Sequence, residues 1–301
     1  MDGLLVIDKP VGLTSHDVVA RMRRVLGERR IGHTGTLDPN ASGVLPLVIG
    51  RATRLAKFLS GGPKTYEAVV HFGVATDTYD AEGTPVGTPW SGTPPARDEI
   101  ERALAEFRGT FMQRPPAYSA KKIDGERSYR TARANRPAVP APPALPAVAV
   151  TVYRLELVGA VGEEATLVIE CSAGFYVRSL AHDLGARLGT GAHLSALRRT
   201  VSSGLTLEDA IPLEFAERSR DDAMEAMLPM ESMLPQFGEV VLTDEGLLRA
   251  LHGRNIGAAE VASGSVEAKA PIRLVDQLGQ LVGIGEPTDV PGVLHPSVVL
   301  R

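Results

Sequence analysis

Residues 31–46 surround a single carboxylate, Asp38, with three glycines and two prolines, in the run Gly32-His33-Thr34-Gly35-Thr36-Leu37-Asp38-Pro39. Residues of that kind shape a loop and hold one side chain at a chosen point. Two chemistries are open to the carboxylate. It is either a turn residue, since Asp bonds its own backbone readily, or an anion placed to attack or stabilise a developing cation. No second carboxylate lies within 32–46, so a glycosidase-like acid/base pair is not visible there. Taken locally, Arg178 reads as a surface arginine, Tyr66 as a strand tyrosine and His33 as a hydrogen-bonding loop residue. Lys121, Lys122, Arg127, Arg130, Arg133 and Arg136 fall within 16 residues, interleaved with Tyr118 and Tyr129. Such a cluster is either a solvated helix face or a phosphate-contacting surface with stacking support.

The elements that must position these residues are legible in outline. Residues 4–8 form an apolar run that reads as a buried strand ended by Lys9-Pro10 and Gly12. Thr14 or Ser15 then caps a helix with Val18, Val19, Met22, Val25 and Leu26 at helical spacing, closed at Gly27. The stretch 32–50 is loop chemistry with 44–49 as a possible strand, and 52–59 a short helix. Alternation over 65–72 puts Tyr66, Ala68, Val70 and Phe72 on one strand face. Residues 98–107 read as a surface helix and 136–146 as a Pro/Ala-rich connector. Strands are expected over 148–158 and 165–172, then a helix from about Tyr176 that buries Val177, Leu180, Ala181 and Leu184. Beyond about residue 235 a helix over 242–252 and strands at 272–275, 281–284 and 298–300 suggest a small, mostly β unit. Strands and helices interleave without a regular βαβ cadence. The expected class is α+β, with a mixed, largely antiparallel central sheet and flanking helices. Two domains are expected, 1–235 and 236–301.

The loop 32–46 resembles the catalytic signature of the TruB family, the tRNA pseudouridine-55 synthases. Four further segments agree in order. They are Lys9-Pro10-Val11-Gly12-Leu13-Thr14-Ser15; Lys64-Thr65-Tyr66 with Thr76 to Gly83; Gln113 to Lys122 with Gly125, Arg127, Tyr129 and Arg133; and Gly174 to Leu180 with Leu197-Arg198-Arg199-Thr200. The resemblance implies a pseudouridine synthase fold, with a PUA-like RNA-binding domain at 236–301. It implies a uridine in the tRNA T loop as substrate. Asp38 would be the nucleophile, by attack on C1′ or by assisting glycosidic cleavage. Arg178 would pair with it, and Tyr66 would stack on the flipped uracil and serve proton transfer. Tyr176 and Leu197 would complete the pocket, and His33 would fill the place the base leaves. Lys9, Lys64, Lys121, Lys122 and Arg127 are the implied substrate contacts. The isomerisation needs no redox step and no hydrolysis, so neither metal nor organic cofactor is expected. With no basic tail, a stand-alone monomer without guide RNA is the expected form.

Charge is uneven. Residues 1–205 carry 25 Lys and Arg against 20 Asp and Glu, while 206–301 carry 7 against 16. That permits a basic face on the first part and argues against a strong phosphate grip by the second. The single cysteine, Cys171, excludes an intramolecular disulfide and a Cys-based zinc site. No run of 18 apolar residues and no signal-like leader is present, so a cytoplasmic protein away from membranes is expected. Two other classes remain for test: a nucleoside hydrolase using Asp38, which would need a second acid nearby, and a non-catalytic tRNA-binding module.

Overall fold

The computed structural model describes residues 1–117, 122–123, 126–127, 146–267 and 269–300, with 122–123 and 126–127 described by their backbone alone. Strands run, in chain order, β1 (Gly3–Lys9), β2 (Ile31–His33), β3 (Ala41–Ile49), β4 (Lys64–Phe72), β5 (Ala75–Thr76), β6 (Pro85–Val86), β7 (Gly109–Gln113), β8 (Lys122–Ile123), β9 (Glu126–Arg127), β10 (Val148–Val161), β11 (Glu164–Cys171), β12 (Ala192–Ser202), β13 (Leu205–Thr206) and β14 (Ile211–Pro212). A second group follows: β15 (Gly238–Leu242), β16 (Val261–Ser263), β17 (Ile272–Val275), β18 (Leu281–Pro287) and β19 (Leu294–Val299). The helices used below are α1 (Ser15–Leu26), α2 (Ala56–Ser60), α3 (Arg97–Leu104) and α4 (Val177–Leu188).

Ten strands form the large sheet in the order β14-β1-β3-β12-β4-β11-β10-β7, with β2 on β3 and β13 on β12. Among the described residues, only β1 with β14 and β3 with β12 pair in parallel in this sheet, so it is mixed and largely antiparallel. The second sheet, β16-β15-β17-β18-β19, is built from the last part of the chain.

One face of the large sheet carries two helical layers. Val18, Val19, Met22 and Leu26 of α1 pack on Leu5, Ile7, Leu45 and Leu47. Ile100 and Leu104 of α3 and Val177, Leu180 and Leu184 of α4 pack on Ala68, Val70, Phe72, Leu167 and Ile169. Tyr66 and Leu197 touch both cores, so they stand in the furrow between the layers. On the other face, Leu4, Val6, Val44 and Val48 share a core with Val275, Leu281, Ile284 and Val298 of the second sheet.

α1 starts as its sequence suggests. Thr14 caps it, with Asp17 returning the bond to the Thr14 N–H, and Gly27 closes it at φ 65°. Three expectations need correction. The 32–50 stretch is mostly strand, because β2 and β3 run antiparallel from Ile31 opposite Ile49 to His33 opposite Leu47. The 52–59 helix is a 3₁₀ turn, Gly50–Leu55, followed by α2. The helix expected from 242 begins at Asp244, because Leu242 is the end of β15 and Thr243 the cap.

Candidate active site

Asp38 sits in the loop between β2 and β3, and that loop is held from below by groups distant in sequence. Ser15, on the first turn of α1, donates its hydroxyl to the Leu37 carbonyl at 3.0 Å and accepts the Leu37 N–H at 2.8 Å. The Gly12 N–H reaches the Pro39 carbonyl at 2.8 Å. Lys9, fully buried, donates to Leu13 O at 2.6 Å, Pro10 O at 2.8 Å and Pro39 O at 3.3 Å. From β12 the buried Arg199 donates Nε to Val44 O at 2.8 Å and Nη2 to Gly35 O at 3.0 Å. Peptides on both sides of Asp38 are therefore fixed while its own side chain stays 41% exposed. A rigid backbone carrying one open carboxylate is what a nucleophile or an electrostatic stabiliser requires.

The partner is Arg178, at the start of α4. Its Nε lies 3.0 Å from Asp38 Oδ2. Its Nη1 lies 3.2 Å from Thr78 O and 3.4 Å from Asp80 Oδ2. The guanidinium is almost wholly buried, so these charge-assisted bonds are little screened by water. Asp80 is itself anchored by Thr78 Oγ1 at 2.6 Å and the Glu82 N–H at 3.2 Å. The first turn of α4 is tied to the end of β7. Gln113 exchanges two bonds with the Tyr176 backbone, at 2.8 and 3.0 Å, and Ser179 donates to Arg114 O at 2.9 Å.

Tyr66, on β4 opposite Arg199 of β12, is half-buried in the furrow, whereas Ala68, Val70 and Phe72 on the same face are fully covered. Burial pushes its hydroxyl above the usual tyrosine range, with Arg199 pulling the other way. Leu197 pairs with Ala68 beside it. Tyr176, half-buried, caps α4 by position, and His33, half-buried, closes β2 at the mouth of the loop. Asp38 and Arg178 are thus in contact. Tyr66 and Leu197 line the furrow next to them.

Two expected substrate contacts are corrected. Lys9 and Lys64 are both buried, and each ammonium is spent on backbone carbonyls, Lys64 on Ser60 O and Gly62 O at 2.6 Å each. Burial pushes both down to about 8. They hold loops and do not reach outward for phosphate. Lys121 lies outside the described residues, and so do the side chains of Lys122 and Arg127. Sequence reasoning did not single out Ser15, Asp80 or Arg199. The signal for Arg199 was an Arg-Arg pair on a segment not read as a strand. For Asp80 it was an acidic loop matching the family without an assigned task.

Among the described residues no group of three or more His, Cys, Asp or Glu side chains is placed to hold a metal ion, and no helix is long and apolar enough to cross a membrane.

A mixed sheet with an arginine-held aspartate in a furrow between its two helical layers defines a class that comparison makes specific. Residues 23–177 match the TruB family pseudouridylate synthase N-terminal domain, and residues 178–235 the tRNA pseudouridylate synthase B C-terminal domain. Over the whole of both chains the protein is 45% identical to the tRNA pseudouridine synthase B of Solibacter usitatus (strain Ellin6076). It is 40% identical to that of Geobacillus thermodenitrificans (strain NG80-2), again over 100% of each chain. Among solved structures it is similar to a chain of a "Cbf5-Nop10-Gar1 Complex", with a TM-score of 0.74 and 27% identity over 99% of this chain and 85% of that one. It is equally similar, at 0.74 and 26%, to a chain of an "H/ACA RNP bound to a substrate RNA containing 2'-deoxyuridine", with the same coverage. The chain belongs to the TruB family of pseudouridylate synthases, and it is a tRNA-modifying isomerase.

Proposed function

We propose that the protein converts one uridine of the tRNA T loop, position 55, to pseudouridine, working without a guide RNA. The observation that carries the reading is the 3.0 Å contact between the exposed Asp38 carboxylate and the buried Arg178, beside Tyr66 and Leu197. Isomerisation breaks the bond from C1′ to N1 and forms one from C1′ to C5. N1 gains a proton and C5 loses one, so the atoms balance without oxidant or water. Cationic character develops at C1′ when the first bond breaks, and a fixed carboxylate stabilises or traps it. Arg178 aims that carboxylate. Leu197 and the ring of Tyr66 give the detached uracil an apolar bed in which to turn. A tyrosine hydroxyl is protonated at neutral pH and burial raises its pKa further, so Tyr66 acts there as a hydrogen-bond or proton donor and not as a resting phenolate.

A uridine stacked inside a folded loop cannot reach a furrow between helical layers, so the base must be extruded. His33, at the mouth, takes the vacated position. The catalytic unit spans 1–235, and 236–301 is a PUA-like RNA-binding unit. Close likeness to relatives named tRNA pseudouridine synthase B over the whole chain supports the stand-alone reading.

The test is pseudouridine mapping on an unmodified tRNA transcript incubated with the wild type or with Asp38→Asn. Expected is one pseudouridine in the T loop with the wild type and none with the variant. Free uracil and an abasic site would instead indicate a hydrolase. T-loop binding with no chemistry from either protein would indicate a binding module.

A further inference from the structure

Tyr79 and His182 form an arrangement that the chemistry above does not use. Tyr79 has a left-handed backbone, φ 65°, a conformation that costs an L side chain on the order of 1 kcal/mol or more. Its neighbours on both sides, the Thr78 carbonyl and the Asp80 carboxylate, are the groups that meet Arg178 Nη1. Its own peptide is held against β12, where the Leu194 N–H reaches Tyr79 O and the Ala81 N–H reaches Leu194 O, both at 3.0 Å. The Tyr79 side chain goes to α4, where its ring stacks on His182 with centroids 3.9 Å apart and planes inclined by 16°. His182 lies one turn beyond Arg178, on the same side of the helix. Its Nδ1 is buried and has no hydrogen-bond partner among the described residues, and the face of the imidazole is engaged by the Tyr79 ring.

We propose that the Tyr79–His182 stack is a positioning pair. It clamps the strained 78–80 loop to α4 one turn from Arg178, so that Thr78 and Asp80 set the direction in which Arg178 presents Nε to Asp38. Neither ring touches a reacting atom. Without the stack the left-handed Tyr79 has no side-chain anchor on α4 and its backbone relaxes. The carbonyl of 78 and the carboxylate of 80 then turn away from the guanidinium. Because catalysis is sensitive to displacements of this size, the effect falls on the chemical step and leaves tRNA affinity intact.

The inference rests on the proposed roles of Asp38 and Arg178, and the experiment separates the two. Single-turnover pseudouridine formation and tRNA Kd are measured for wild type, Asp38→Asn, Tyr79→Leu, His182→Leu, the double Leu variant, His182→Phe and Tyr79→Phe, with thermal melts to confirm folding. Expected are rates about tenfold lower for each Leu variant, with Kd within about twofold of wild type. The double variant should be no slower than the singles, since the pair acts as a unit. Both Phe variants keep a stackable ring and should run near the wild-type rate. Wild-type rates in the Leu variants would overturn the pair, and so would a loss confined to Kd or equal losses in the Phe and Leu variants. If a Leu variant does not fold, the Phe variants still decide, because a tenfold loss in either refutes stacking as the clamp. Full activity of Asp38→Asn would instead overturn the reading of the site itself.

Discussion

Arg178 reaches Asp38 with Nε and Asp80 with Nη1, so two carboxylates share one planar cation. An ammonium offers a single point of charge on a different stem and cannot span both. Arg178→Lys is therefore expected to lower kcat at least about a hundredfold with KM little changed. A loss in KM alone, measured on a T-loop substrate, would contradict it. Asp80→Asn keeps the shape and removes one charge, and a smaller loss, about tenfold, is expected. At Lys64 the argument concerns stability. Burial sets its folded-state value at about 8, below the ordinary lysine value of about 10.5 in the unfolded chain. Between those values the unfolded state binds more protons, so stability rises with pH through that window. The gain is on the order of 3 kcal/mol by the conversion of about 1.4 kcal/mol per pKa unit. Relative to Lys64→Met, which has nothing to deprotonate there, the wild type should gain stability from pH 7.5 to pH 10 in urea melts. An unchanging difference between the two proteins would show the ammonium to be better solvated than its surroundings indicate.

The Asp38 loop is positioned by elements from three parts of the sequence, and this is where the sequence was hardest to read. Strands 65–72, 148–158 and 165–172 were legible because their alternation is clean. β12 was not, since Ser195, Arg198 and Arg199 break an apolar pattern while each has a specific partner: Val69 O, Asp8 and the Asp38 loop. With β12 unseen, Arg199 could not be placed under the loop, and nothing in the sequence marks Lys9 and Lys64, the expected substrate contacts, as buried cations. The β3–β12 junction depends on Gly43. It has φ +103°, and a Cβ there would run into the backbone of Arg199. Gly43→Ala should thus destabilise the fold by about 3 kcal/mol or more, read as a large drop in melting temperature together with lost activity. Ser15→Ala leaves the shell of the loop intact but orphans the buried Leu37 N–H, at an expected cost of about 1–3 kcal/mol. The rate should fall with it, because the peptide just before Asp38 has lost its hold. A variant with wild-type rate and lowered stability would show that the other holds on the loop suffice.

At the scale of the molecule, the acidic last part of the chain is joined to the sheet that carries the site through one continuous apolar core. Leu4, Val6 and Val48 from the large sheet meet Val275, Leu281, Ile284 and Val298 from the second. Polar ties run alongside. Arg51 binds Asp2 at 2.7 Å and Leu300 O at 3.1 Å, and Lys57 meets Glu286 at 3.1 Å. A weak, polar contact between units would let them melt separately. A shared core makes their unfolding cooperative. Leu281 is buried at this junction, so Leu281→Ala removes one methine and two methyl carbons from a packed site and is expected to cost about 2–5 kcal/mol. The consequence that distinguishes a shared core is where the cost appears. If the two sheets unfold together, Leu281→Ala shifts a single calorimetric transition. Loss of pseudouridine formation on heating then follows the same midpoint as loss of ellipticity, although Leu281 is remote from Asp38. A second, lower transition in the variant, with activity surviving above it, would show that the second sheet can come away while the site remains formed.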